Sequence, residues 1–243
     1  MKLHLTHLCP EAMSLYGEYA NLLILRRHLE DLGVETEMES VPLCSAPDFS
    51  QADFIYMGCG TERTQKAVLQ WLQPHAGGLR AALDRGAAVL FTGNAMETLG
   101  ASVTDRDGKR WEGLGLADFT TVETDRRTPH DVIAAPALWE EAAVGFMNKC
   151  STTSGVTTPL FTALSMGFGN DREGGGEGFV SGDLYATHIT GPVLVKNPAF
   201  TDYLVGRLFA LHGWDLPEAR PAYPHEAAAY AVTCRELTAR LGG

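Results

Sequence analysis

Residues 87–100 read Ala87-Ala88-Val89-Leu90-Phe91-Thr92-Gly93-Asn94-Ala95-Met96-Glu97-Thr98-Leu99-Gly100. The first five of these, Ala87 to Phe91, are an unbroken apolar run, the pattern of a strand buried on both faces. Thr92-Gly93-Asn94 then turns the chain sharply into a short helix. A strand-to-helix turn of this kind lifts one side chain into the open above the sheet edge, and ligands of open α/β sheets bind at such carboxyl ends.

Upstream, the same alternation of strand and helix repeats. Residues 3–8 alternate apolar and polar, Leu22, Leu25, Leu29 and Leu32 share one helical face, and Gly33 stands at a helix C-terminal position. A second strand is expected over 34–41. A third, Phe54-Ile55-Tyr56-Met57, runs into Gly58-Cys59-Gly60. A helical stretch follows over 61–85, broken near Pro74 and Gly77-Gly78 and closed by Gly86. The pattern predicts an α/β fold in three layers with a mostly parallel central sheet.

The second half is richer in strands. Asp107-Gly108 is a turn signal, and strand-like runs recur over 119–124, 131–134, 143–147, 160–166 and 178–189. Residues 171–178, with Gly174-Gly175-Gly176, read as a mobile loop. Helices are expected near 200–212 and 225–241, the last with Tyr230, Cys234, Leu237 and Leu241 as a core stripe. One domain over 1–243, its C-terminal helix included, suits this length.

Composition narrows the function. Nineteen basic and thirty acidic residues give a net charge of −11, which argues against nucleic acid or an anionic membrane as partner. No apolar run approaches a membrane span, and residues 3–8 alternate where a signal peptide would be continuous. The five cysteines, Cys9, Cys44, Cys59, Cys150 and Cys234, form no Cys-x-x-Cys pair, which fits a reducing, cytoplasmic compartment and gives no metal framework.

The stretch 90–100 resembles the nucleophile elbow of class I glutamine amidotransferases of the CobB/CobQ type, in particular the GatD branch, the glutaminase subunits of lipid II isoglutaminyl synthases. Members read Cys-Gly-Gly-x-Gln-x-Leu-Gly here. Further similar segments are 15–29, Gly58-Cys59-Gly60-Thr61-Glu62-Arg63, Asp107-Gly108, 112–119, 145–148, 167–170, Gly191-Pro192-Val193-Leu194-Val195-Lys196-Asn197 and 201–204. The resemblance implies a flavodoxin-like three-layer fold, no cofactor, and a heterodimer with a Mur-ligase-like synthetase. It also implies an oxyanion pocket at Gly58, Gly60 and Asn94, and a substrate loop at Asn148 and Lys149.

Matching Leu99-Gly100 puts the family's nucleophilic Cys on Gly93 and its motif Gln on Glu97. Where the family reads His-Gly-Pro, this chain reads Thr190-Gly191-Pro192, so the base position is Thr190. Lys149-Cys150-Ser151-Thr152 replaces a family pattern of His, two Gly and Arg. Amide hydrolysis needs a thiolate and an imidazole; Gly93 and Thr190 supply neither. The departures imply a catalytically degenerate subunit. The alternative is a rebuilt site that pairs Cys59 or Cys150 with His188, which on a strand would share a face with Thr190 about 6–7 Å away. Against it, both cysteines read equally as small core fillers and His188 as a hydrogen-bonded strand residue. No ligand spacing supports a metal on these three residues. His28, beside Arg26 and Arg27, reads as solvent-facing, and Thr92 as a strand-end residue with a satisfied hydroxyl.

Overall fold

The computed structural model describes residues 1–171 and 175–241. Its central sheet has six strands: β1 (Lys2–Leu8), β2 (Glu35–Val41), β3 (Phe54–Met57), β4 (Ala88–Thr92), β10 (Phe179–Ser181) and β11 (Leu184–Thr187). They lie in the order β10-β11-β4-β3-β1-β2, and every pair is parallel except the β10–β11 hairpin.

Burial on both faces explains the unbroken apolar runs. Phe54, Tyr56, Ala88 and Leu90 face α1 (Ala20–Asp31) and α5 (Pro198–Leu211). Ile55, Met57, Val89 and Phe91, the alternate positions, face α2 (Glu62–Leu72) and α3 (Ala76–Arg85). Between α2 and α3, residues Gln73–His75 form a 3-10 turn holding Pro74. The break therefore sits at the proline alone; Gly77 and Gly78 lie inside α3, which ends at Gly86 with φ 104°.

A second, mostly antiparallel sheet contains β5 (Ser102–Thr104), β6 (Arg110–Glu112), β7 (Thr120–Pro136), β8 (Ala143–Ser154) and β9 (Phe161–Met166). The expected strands over 119–124 and 131–134 are one strand. Its polar middle hides the continuity, because pairing with β8 shifts register between Glu123 and Thr128. Such a bulge re-aims side chains, and here Arg127 points into the cavity described below. The 143–147 strand extends to Ser154, so Asn148 and Lys149 lie in β8 and not in a loop; cross-strand pairing with Pro129 and Thr128 holds them there. The 178–189 run is the β10–β11 hairpin, which ends at Thr187. His188 and Thr190 are thus beyond the strand, and Thr190 bridges to Phe146 of β8.

The chain closes with the short α4 (Val193–Lys196), α5 and α6 (Pro224–Leu241). Leu237 is buried and Tyr230 and Cys234 half-buried, but Leu241 is exposed and leaves the stripe. His28 is buried, not solvent-facing: its ring stacks on Tyr223 at 3.8 Å and its Nε2 lies 3.0 Å from Glu226. Of the expected mobile loop, residues 172–174 lie outside the described residues, while Glu177 beside it is buried and bridged to Phe161. Among the described residues, no helix is long and apolar enough to cross a membrane.

Candidate functional site

The ends of β3 and β4 and the stretch after β11 face β8 across a cavity of about 240 Å³. It is lined by every reactive residue singled out from the sequence: Cys59, Gly93, Asn94, Cys150, His188 and Thr190, with Gly60, Asn148 and Lys149. Gly58 belongs to the loop but not to the lining. A Cβ there would meet the Met13 carbonyl oxygen at 2.6 Å.

Gly93 begins a 3-10 helix (Gly93–Leu99) with φ 61°, the left-handed conformation of a sharp elbow. Its missing side chain is not an opening. An ideal Cβ at 93 would stand 2.4 Å from Cys59 Cβ, 2.8 Å from Cys59 Sγ and 3.1 Å from Thr190 Cγ2. The Asn94 side chain clamps Gly60, accepting its N–H at Oδ1 (2.9 Å) and donating from Nδ2 to its carbonyl (2.9 Å). Sγ of Cys59 receives the Asn94 backbone N–H. The N–H groups suited to an oxyanion are therefore occupied by the chain's own atoms. Thr190 turns its hydroxyl away, to the Phe146 carbonyl at 3.0 Å.

Neither thiol is activated. Burial pushes Cys59 up to about 12, far more than the Asn94 N–H lowers it. Cys150 donates to Glu62 Oε1 at 3.1 Å and accepts from Arg106 and Arg127 at 3.4 and 3.6 Å. Burial raises its pKa, and the Glu62 carboxylate adds to that against the two guanidinium groups. His188 partners neither thiol. Its Nδ1 lies 3.0 Å from Glu177 Oε1 and its Nε2 faces Glu97. Iodoacetamide at neutral pH is accordingly expected to label exposed Cys44 long before Cys59, whose thiolate fraction is about one in a hundred thousand. Peptide mapping over time reads this; rapid labelling of Cys59 or Cys150 in the folded chain would reinstate thiol chemistry in the cavity.

Charged groups close the walls. Glu62 pairs with Arg127, Lys66 with Glu123, and Lys149 donates to the Gly169 and Asn170 carbonyls. Asn148 donates to the Tyr16 hydroxyl at 2.9 Å at the rim. Glu97 is buried and accepts from Gln65 (2.6 Å) and Ser151 (2.5 Å). Burial pushes its carboxyl up, but the facing His188 ring, Ser151 and Gln65 outweigh that and hold it below the usual carboxylate range. Behind the elbow, Glu18 is fully buried. It accepts from Gly191 N–H at 2.9 Å, from Tyr56 at 3.2 Å and from Thr92, whose hydroxyl is satisfied as expected. Sequence reading missed Glu18, Glu177 and Arg127, and gave Ser151 only as part of the altered stretch 149–152. Their partners lie on other elements, and only Arg127, in a polar interruption of a strand pattern, carried any local signal.

The model of the CobB/CobQ-like glutamine amidotransferase domain matches residues 4–198. The chain is 27% identical over 207 residues to the GatD subunit of lipid II isoglutaminyl synthase (glutamine-hydrolyzing) of Staphylococcus aureus, covering 84% of this chain and 83% of the relative. It is 27% identical over 199 residues to the GatD subunit of Streptococcus pneumoniae, covering 81% and 76%. Among solved structures, a glutamine amidotransferase superposes with a TM-score of 0.54 at 11% identity over 86% of this chain and 98% of that one. Another, from Thermotoga maritima, superposes with a TM-score of 0.50 at 8% identity over 99% and 94%. These two likenesses concern the fold.

Proposed function

The chain belongs to the CobB/CobQ-like glutamine amidotransferase family, and we propose that within it this chain is a subunit that does not hydrolyse glutamine. The observation that carries the reading is at Gly93. The elbow has no nucleophile, and Cys59 fills the space a nucleophile would need. Thr190 has no group that takes a proton near neutral pH, and the Asn94 clamp holds the Gly60 N–H away from any substrate oxygen. Losing a single oxyanion donor costs about a hundred- to a thousandfold in rate; here donor, nucleophile and base are missing together.

The relatives' role as subunits of a synthase supports a partner for this chain. In our reading that partner is a Mur-ligase-like amide synthetase, bound as a heterodimer in the cytoplasm and acting in cell-wall precursor amidation or a related reaction. It would draw on free ammonia, and this chain would stabilise or regulate it.

The test is ammonia release from glutamine by the purified chain, alone and with the synthetase co-expressed from a neighbouring gene. No release in either arm, with the two proteins co-purifying, is the expected result. Release that survives in the purified pair would end the non-hydrolysing reading and direct attention to Cys59, Cys150 and His188, the rebuilt-site alternative.

A further inference from the structure

The mouth of the cavity is spanned by one chain of hydrogen bonds. Tyr16 and Arg127 both line the cavity and are exposed, so they stand between it and solvent. The Tyr16 hydroxyl accepts from Asn148 Nδ2 at 2.9 Å, Arg127 donates to the Asn148 carbonyl at 3.2 Å, and Arg127 pairs with Glu62. Tyr16 and Glu62 belong to the layer of the central sheet, Arg127 and Asn148 to β7 and β8 of the second. A molecule that enters has to part this belt.

Tyr16 is the link with the least to hold it. It sits in a 3-10 turn, Leu15–Gly17, with φ 62°, a left-handed conformation that a bulky side chain rarely takes. The turn is tied at its base. Leu15 N–H donates to the Cys59 carbonyl at 2.9 Å, Tyr19 N–H donates to Ser14 Oγ at 3.1 Å, and Glu18 is buried. Its tip is free: Gly17 has φ 75°, and a Cβ there would meet nothing within 4 Å. Beyond its own turn, the Tyr16 side chain has the one bond to Asn148 and an edge-on contact with Phe146 at 6.0 Å between ring centroids. Asn148 Oδ1 has no partner, so nothing braces the amide from its other end. The left-handed backbone weighs about tenfold against this arrangement. One partly exposed hydrogen bond and one edge-on ring contact weigh for it by about fivefold each. The closed position is therefore ahead by only about two- to threefold.

We propose that Tyr16 is a hinged cover of the cavity, latched to Asn148, and that ligands enter when it swings away on Gly17. The cover goes beyond the reading of the chain as a non-hydrolysing subunit and does not depend on it, since a bound molecule must pass the mouth whether or not it is cleaved.

The chain carries its own probes of access. Cys59 and Cys150 line the cavity, Cys9 is buried outside it, and Cys44 is exposed. The full-length parent, Tyr16→Phe and Tyr16→Gly are treated with methyl methanethiosulfonate at about pH 9, where more of each thiol is ionised, and every cysteine is followed by peptide mapping. Relative to Cys44, the two cavity thiols should react about twofold faster in Tyr16→Phe, which loses only the latch, and about three- to fourfold faster in Tyr16→Gly, which loses the cover. Cys59 and Cys150 should gain by the same factor, because they share one entrance. Cys9 should stay unmodified, which shows that the variants are folded. In the parent, nitrogen relaxation dispersion should show residues 15–17 exchanging in one process, with a larger minor population in Tyr16→Phe. Equal labelling in all three proteins, gains that differ between Cys59 and Cys150, or flat dispersion over 15–17 would each overturn the cover. If a variant exposes Cys9, the parent's dispersion decides alone. Ammonia release from glutamine is a separate readout: it bears on the non-hydrolysing reading and leaves these rates unchanged.

Discussion

Glu18→Gln is expected to make the protein more stable than the parent above about pH 7 and to leave little difference near pH 4. Glu18 is fully buried between the entry to α1, Tyr56 of β3, Thr92 of β4 and Gly191. Burial is the largest influence and pushes its carboxyl from 4.5 up to about 7; hydrogen bonds from Thr92, Gly191 and Tyr56 act the other way and are outweighed. With its folded pKa above the unfolded one, the group favours folding fully below 4.5 and loses that contribution as pH rises through about 7. The difference corresponds to about 3 kcal/mol. A glutamine keeps the acceptor for Gly191 and donates to the Thr92 hydroxyl without ever ionising.

The parent alone would not reveal this. His7 packs against the Tyr56 ring at 5.2 Å, and burial lowers it to about 4. Its contribution is present above the unfolded value of 6.5 and is lost as pH falls toward 4, the opposite sense over nearly the same window. The two groups offset each other, so the readout is the variant-minus-parent difference in urea unfolding at about pH 5 and about pH 8. A difference that stays constant between the two would show that Glu18 is not held neutral.

What the sequence makes legible here depends on how far a residue's partners lie along the chain. Phe54–Met57 and the residues 88–91 announce themselves because burial on both sheet faces demands apolar residues at every position. The helices α1 and α2 do so through one-sided spacing. The second sheet does not, because β7 carries Asp125-Arg126-Arg127 across its register shift and reads locally as a loop. His28 is misread for the same reason. Its neighbours are arginines, while the groups that bury it, Tyr223 and Glu226, come almost at the other end of the chain. At the site, the absence of a thiol at 93 and of an imidazole at 190 is visible in the letters. That Cys59 stands in the vacated volume, that Asn94 closes on Gly60, and that Glu177 orients His188 are facts of contact between separate strand ends, and no spacing encodes them.

Gly93→Cys with Thr190→His is expected to yield no glutaminase and a weaker fold. The new Cβ at 93 would lie 2.4 Å from Cys59 Cβ. That atom is fixed to the backbone, so no change of rotamer relieves the contact, and the loop after β3 or the elbow itself must move. The left-handed φ of 61° adds strain for any residue but glycine. Together these amount to about 2–4 kcal/mol. Adding Cys59→Gly removes both the Cβ and the Sγ that collide, and should recover most of that loss, leaving about 1–2 kcal/mol for the elbow strain and the extra glycine. Urea unfolding of the variants with and without Cys59→Gly separates the two contributions; a Gly93→Cys protein as stable as the parent would mean the facing loop yields freely and the cavity is not closed by Cys59. Activity should follow the same order. A thiol and an imidazole restored without space for the thiol give nothing. With Cys59→Gly, slow ammonia release becomes measurable, still limited because Asn94 Oδ1 holds the Gly60 N–H. Asn94→Gly, which frees that donor for the developing oxyanion, should then raise the rate by about a hundredfold. A rate unchanged by that last step would place the oxyanion on other donors, and would make the Asn94 clamp a brace for the loop with no part in silencing the site.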